Sequence, residues 1–265
     1  MSMPKYQYIT TSCRDRVLTV TLDRPEKLNA INSTLHAELA QVFYDAARDA
    51  DSDVVVLTGA GKAFCAGGDV EYLQEMIDGG TRGFELCRMD AKRIVFSILD
   101  LEKPLIAKVN GHAMGLGATI ALLSDIIIAA ESAKIGDPHV SIGFSAGDGG
   151  AVIWPYLIGF ARAKEYLMTG ESLTATEAAR IGLINHCVPD AQLDSRIDEL
   201  CGRLQRGAKL AIRYTKTTVN IALKKVAHSI MDASIAYESL TNVSPDHAEA
   251  VAAFRERRRP EFGQT

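Results

Sequence analysis

The sequence predicts an α/β fold: a parallel-type sheet with crossover helices, followed by a helical C-terminal region. Three observations predict it. Strand-like and helix-like segments alternate through the first ~130 residues. Two of the strand-like segments run straight into glycine-rich loops. From Ala161 onward the apolar spacing is nearly all helical.

In chain order, Arg16 to Leu22 is rich in β-branched residues and is stopped by Asp23-Arg24-Pro25, which makes it a strand. Asn32-Ser33-Thr34-Leu35 opens a helix to about Ala50, with Leu35, Leu39, Val42, Phe43 and Ala46 at helical spacing. Asp53 to Thr58 is a short apolar strand, and the glycine-rich loop Gly59 to Gly68 follows it. Glu71 to Gly83 reads as a variable loop with a mobile Gly79-Gly80 tip. A helix runs from about Phe84 to Leu99, then Pro104 to Val109 is a strand ending at Gly111, Gly115 and Gly117. Ala118 to Leu123 is a helix and Ile126 to Ala130 a fully buried strand. Thr174-Ala175-Thr176-Glu177 fits a capping box for a helix that Gly182 ends. Leu210 to Leu240 supplies one or two long helices.

With 47% hydrophobic and 23% charged residues, the 265-residue chain has globular composition, which excludes a disordered or collagen-like protein. Lys+Arg is 29 against 33 Asp+Glu, a net charge of -4, so no global basic field draws nucleic acid or acidic membrane. No stretch reaches the roughly 18 apolar residues of a membrane span, and Met1 to Tyr6 has no apolar segment behind its charge. Five scattered cysteines without CxxC spacing point to reduced thiols and a cytoplasmic location. The six histidines form neither HxxxH nor HExxH, so no metal site is expected.

The glycine loops fail the nucleotide templates. Gly59-Ala60-Gly61-Lys62-Ala63 lacks the Ser/Thr that follows Gly-Lys in a Walker loop, and Ile120 stands where Gly115-Leu116-Gly117 would need a third dinucleotide-binding glycine. Glycines do let a backbone approach a ligand closely, and a loop entering a helix carries free N–H groups suited to developing negative charge. Two such loops facing each other would make an oxyanion hole.

Several segments carry a family resemblance. Arg24-Pro25-Glu26-Lys27-Leu28-Asn29-Ala30, Thr58 to Asp69, and Lys103-Pro104 through Asn110-Gly111-His112-Ala113-Met114-Gly115-Leu116-Gly117 resemble the enoyl-CoA hydratase/isomerase (crotonase) superfamily. Asp125, Thr169-Gly170-Glu171, Gly182-Leu183-Ile184 and Ser244-Pro245-Asp246 continue the similarity. The resemblance implies a spiral ββα core over residues 1–200, a helical oligomerisation region over 201–265, and a homotrimer or homohexamer. It implies an acyl-CoA thioester as substrate and no separate cofactor. The oxyanion donors would be the N–H groups of Gly68 and Leu116, and CoA would run along Lys27, Leu28, Ala30, Ala66, Asp69 and Val70. Arg255, Arg257, Arg258 and Arg259 would either meet CoA phosphates or form a solvated helix end.

The sequence departs from that pattern where hydratases of the family carry two glutamates, because the matching positions are Thr119 and His139. A threonine hydroxyl is too weak an acid or base at neutral pH, though it can orient a substrate or a water. A carboxylate reappears at Asp148, in Gly147-Asp148-Gly149-Gly150, where the resemblance to 4-chlorobenzoyl-CoA dehalogenases and dihydroxynaphthoyl-CoA synthases also places Asp. Asp148 is read as base or nucleophile with His139 assisting, or as the cap of a helix beginning near Gly149. His139 is read as an active-site residue or as a turn residue after Asp137-Pro138. Hydration, isomerisation, thioester or C–C hydrolysis, displacement on an aryl-CoA, and acyl-CoA binding without chemistry all stay open. Cys65 and Asp125 are read as buried structural groups, Asp69 as a brace for its loop, and Trp154 and Tyr156 as core or pocket lining.

Overall fold

Residues 17–22 alternate half-buried and buried side chains, as a strand covered on one face does, and form β2 (Val17–Leu22). The computed structural model describes residues 3–263, so Met1 and Ser2 of the N-terminal stretch lie outside the described residues. Antiparallel to β2 runs β1 (Ile9–Arg14), an edge strand that the sequence pattern does not announce because most of its side chains face solvent. Parallel to β2 follow β3 (Val54–Gly59), β4 (Leu105–Val109), β6 (Ile126–Ala130) and β9 (His186–Val188), giving the sheet order β1-β2-β3-β4-β6-β9. A three-stranded sheet, β5 (Ala113–Met114), β7 (Lys134–Gly136) and β8 (Leu173–Thr174), lies beyond the ends of β4 and β6 in the chain.

The central parallel strands β3, β4 and β6 are almost wholly apolar because both faces of the sheet are covered there. On one face Leu18, Val20, Val55, Leu57 and Ala107 join a large core with α1 (Ser33–Arg48) and α3 (Gly80–Asp100). On the other, Val54, Val56, Ile106 and Ile128 pack against Leu193, Ile197 and Cys201 of α8 (Leu193–Gln205). Asn32 caps α1 by accepting the Leu35 N–H at 2.9 Å, as the sequence predicts. Thr174 accepts the Glu177 N–H at 3.2 Å and starts α7 (Ala175–Arg180). The long C-terminal helix is single, α9 (Lys209–Asn242), and α10 (Pro245–Glu256) follows it. Residue 200, the expected division between core and helical region, lies inside α8.

Two expectations change. Glu71 to Gly83 is helical: α2 (Val70–Asp78) starts at Asp69, whose side chain accepts the Glu71 N–H at 3.0 Å, and α3 begins at Gly80, so the two glycines form a helix–helix joint. The chain after Ala161 is not all helical either, since β8 and β9 interrupt it; β9 is held by pairing with β6 although its three residues carry no strand signal of their own. The remaining helices are α4 (Leu116–Leu122), α5 (Gly150–Ile158) and α6 (Phe160–Thr169). Among the described residues no helix is long and apolar enough to cross a membrane.

Candidate active site

The two glycine-rich loops are paired to each other. Cys65 donates to His112 O at 3.0 Å and Met114 donates to Cys65 O at 2.9 Å, a parallel bridge between Cys65 and Ala113. On its other side the first loop pairs with Ile31, which donates to Gly67 O at 2.8 Å and accepts from Asp69 N at 2.9 Å. That bridge uses the groups on either side of Gly68 and leaves the Gly68 N–H directed away from it, with no acceptor among the described residues. Leu116 is the first residue of α4, so its N–H is one of the orphan donors of a helix start. Gly67 and Gly115 take positive φ values of 93° and 53°, which favour glycine, and a Cβ built on Gly67 would press on Met114 O of the other loop at 3.2 Å.

The turn before the first loop is locked by Asn29. Its side chain accepts the Arg24 N–H at 2.9 Å and donates to Ala60 O and Ala63 O, each at 2.9 Å, although Asn29 itself sits at φ 57°. Arg24 crosses to Asp69 at 3.0 Å in a buried ion pair. Asp69 therefore braces the loop from both ends, as its sequence context suggests.

Behind the two N–H donors lies a cluster of ionisable groups. His139, at the start of a 3-10 turn His139–Ile142, is bonded through Nδ1 to Asp137 Oδ1, and its Nε2 faces Asp148 Oδ2 at 3.4 Å. Thr119 Oγ1 donates to Asp148 Oδ1 at 3.4 Å. Asp148 makes no capping bond to α5, whose cap is Gly149, so the helix-cap reading gives way to an ion-paired carboxylate inside the protein. The glycines around it have steric reasons. A Cβ on Gly147 would lie 2.6 Å from Glu238 Oε2, one on Gly149 2.6 Å from Thr119 Cγ2, and one on Gly150 2.1 Å from Asp137 Oδ2. Burial alone would keep His139 neutral, but the Asp137 and Asp148 carboxylates raise it well above the ordinary imidazole value. Burial likewise pushes Asp148 up, and His139 outweighs that and holds it below the usual carboxylate range. Glu238 is raised well above its ordinary value, first by burial and then by repulsion from Asp148, which favours its protonated form.

Two connected spaces are lined by these groups. An outer cleft of about 450 Å³ is walled by Lys27, Leu28, Ala30, Ala66, Asp69 and Val70, with Ala250, Val251 and Phe254 of α10 opposite. An inner cavity of about 60 Å³ is lined by Leu116, Asp148, Glu238, His36, Tyr72 and Cys87. Gly68, Leu73, His139 and Ile142 border both. All residues expected along the CoA path except Thr119 thus share the outer cleft, while Thr119 lies behind Asp148 and steadies it.

The enoyl-CoA hydratase/isomerase family pattern matches residues 13–265. The chain belongs to the enoyl-CoA hydratase/isomerase family. A short-chain-enoyl-CoA hydratase of Clostridium acetobutylicum is 34% identical over 251 residues, 93% of this chain and 94% of the relative. The crystal structure of an enoyl-CoA hydratase/isomerase from Mycobacterium paratuberculosis superposes with a TM-score of 0.89 at 34% identity, covering 95% of this chain and 99% of that one. A β-diketone hydrolase from the cyanobacterium Anabaena sp. PCC 7120, bound to (S)-3-oxocyclohexyl acetic acid, superposes with a TM-score of 0.83 at 30% identity, covering 90% and 95%. The fold is that of the crotonase superfamily.

Within this crotonase-family chain the other singled-out residues have plain positions. Cys65 packs against Gly117, where a Cβ would lie 2.8 Å from its sulfur, and burial pushes its thiol up to about 12, so it is an inert wedge. Asp125 accepts from Leu105 N at 2.7 Å and pairs with Lys216 at 2.7 Å, tying α9 to the sheet. Trp154 is fully buried, whereas Tyr156 is 54% exposed and therefore neither core nor pocket lining. Arg258 is held by Glu249 and by Glu256 at 2.6 Å, and Arg255 donates to Gln74 at 3.2 Å. Asp137, His139 and Asp148 form the one group among the described residues with three metal-ligand atoms within 4.8 Å. Each imidazole nitrogen is turned toward a different carboxylate, so the histidine acts as the cation of the cluster.

Sequence reasoning missed three members of the site. Asp137 is hidden in the turn Asp137-Pro138 and Glu238 lies about a hundred residues further on in α9. In the structure Glu238 stands in the buried stripe Ala227, Met231, Ser234, Ile235, Glu238, Asn242, a carboxyl on the covered face of a helix. His36 sits on the buried face of α1 among leucines and looks like any core position there.

Proposed function

We propose that the chain is an acyl-CoA enzyme that stabilises a thioester enolate or oxyanion with the Gly68 and Leu116 N–H groups, while Asp148 removes a proton and His139 supplies one. One observation carries this reading: Asp148 and His139 border the same cavity as the two unspent backbone donors. The charge states support the division of labour. Asp148 is ionised and can accept a proton; the raised His139 arrives protonated and can give one, with Asp137 holding its ring. Two preorganised donors aimed at a developing oxyanion lower a barrier by several kcal/mol in related chemistry. The outer cleft would take the pantetheine arm, with the thioester as substrate and no separate cofactor.

Water chemistry on a carbonyl is the second reading. Lys27, the one lysine or arginine lining the outer cleft among the described residues, is bridged to Glu71 at 3.2 Å. The β-diketone hydrolase named above is similar in fold and sequence. In that reading Asp148 takes a proton from the water that attacks one ketone; the bond from that carbon to the central carbon then breaks, leaving a carboxylic acid and the enolate of the other ketone, which His139 protonates on carbon.

The test is to mix the protein separately with crotonyl-CoA, an aryl enoyl-CoA and a cyclic β-diketone and follow the conjugated chromophore of each. Asp148→Ala and His139→Ala are expected to cut kcat/KM by 100-fold or more on the true substrate, the usual scale of acid–base catalysis. Wild-type rates in the double variant would overturn the roles; turnover of the diketone alone would select the second reading.

A further inference from the structure

Glu238 is used by neither reaction above, yet it lines the inner cavity and is 6% exposed. Its Oε2 has no hydrogen-bond partner among the described residues. Space is kept for it on purpose, since any side chain at Gly147 would collide with it. Ile31, Leu73, Met76 and Phe144 make much of the same wall apolar, so Glu238 is one of a few polar groups in it, the kind of group that fixes how a ligand is oriented. Burying a polar group without a partner costs stability. A carboxyl retained at such a cost, facing a substrate space, fits a ligand that brings the missing partner.

We infer that Glu238 is a specificity-determining residue whose carboxyl donates a hydrogen bond to a second oxygen of the substrate, a ketone or hydroxyl a few bonds from the reacting carbonyl. The inner cavity is small, about 60 Å³, so that oxygen belongs near the carbonyl held by Gly68 and Leu116 and not at the tip of a long chain. The substrate class is then an oxo- or hydroxyacyl compound. The inference rests on the oxyanion site proposed above and deepens it. Burial and the neighbouring Asp148 favour the protonated form of Glu238, the form that can donate. His36 beside it is neutral, lowered by burial to about 4, and adds no competing charge.

The experiment compares binding of butyryl-CoA and 3-oxobutyryl-CoA by calorimetry to the wild type, Glu238→Gln and Glu238→Met, with melting temperature recorded for each. The expected result is about tenfold tighter binding of the oxo compound by the wild type, the ratio one good hydrogen bond supplies. Glu238→Gln, which still donates, keeps most of that preference. Glu238→Met abolishes it, leaves butyryl-CoA affinity within about twofold, and melts no lower than the wild type because an orphaned carboxyl has gone. Equal binding of the two thioesters by the wild type, or a preference that survives in Glu238→Met, overturns the inference and leaves the oxyanion site standing. If neither thioester binds, the CoA reading fails, and cyclohexane-1,3-dione against cyclohexanone is the deciding pair with the same variants. No discrimination there either overturns the inference.

Discussion

His36 and His139 both feel the Asp148 carboxylate yet titrate in opposite directions. Burial dominates at His36 and lowers it to about 4, whereas two carboxylates reverse the effect of burial at His139. A lowered histidine is neutral in the folded protein while the unfolded chain takes up a proton below about pH 6.5, so stability is lost as pH falls from there toward 4. His139 does the reverse: its contribution is fully present below about pH 6.5 and is lost as pH rises through its raised value. The two changes fall in adjoining pH windows that meet near pH 6.5, and variants separate them. Between pH 7 and pH 5, His36→Gln should show about 2 kcal/mol less acid destabilisation than the wild type in urea unfolding, while His139→Gln should show more. Parallel curves for all three proteins would contradict the opposed charge states.

At the scale of the element, the loop that presents Gly68 depends on the turn before it. Asn29 replaces a short stretch of sheet by bonding three strangers, the Arg24 N–H and the carbonyls of Ala60 and Ala63. Asn29→Ala strands those groups in the interior and is expected to cost about 3 kcal/mol, read as a lower denaturant midpoint with unchanged m. Activity should fall further than stability explains, because the Gly68 N–H loses its support. Gly149→Ala is a second case: φ is 129° and Cβ would strike Thr119 Cγ2, displacing Asp148, so the expected loss is in kcat with KM little changed. How legible such elements are follows from their physics. Val54–Gly59 and Ile126–Ala130 are readable because buried parallel strands need unbroken β-branched runs. β9 is unreadable because its order comes from β6, and α2 because a Gly-Gly pair that looks like a loop tip is a joint between two helices. The backbone donors and Asp148–His139 could be located from the glycine loops and the break in the glutamate pattern. Glu238 and His36 could not, since only the crossing of α9 and α1 over the cavity brings them to it.

For the whole molecule, several large apolar side chains stay in water on the monomer: Tyr156, Phe160 and Met168 around α5 and α6, and Leu210, Tyr214, Val219, Ile221, Tyr237 and Leu240 along α9. Exposed apolar side chains gathered on a surface mark a site of association. The expected assembly is a homotrimer or homohexamer, and light scattering on the purified protein checks it against a monomer of 28.7 kDa. Tyr214→Glu with Leu240→Glu should shift the distribution toward the monomer.

The Cys65–Ala113 bridge has a consequence for how such a protein can change over time. The two amides that would hold the oxyanion belong to the main chain, and their spacing is set by a backbone ladder that no side-chain replacement rewrites. Residues around the cavity come instead from separate places: α1, α4, the turn before α5, and α9. Each can be exchanged singly while the electrostatic centre stays assembled. A lineage holding this frame can therefore try new acids, bases and recognition groups one at a time.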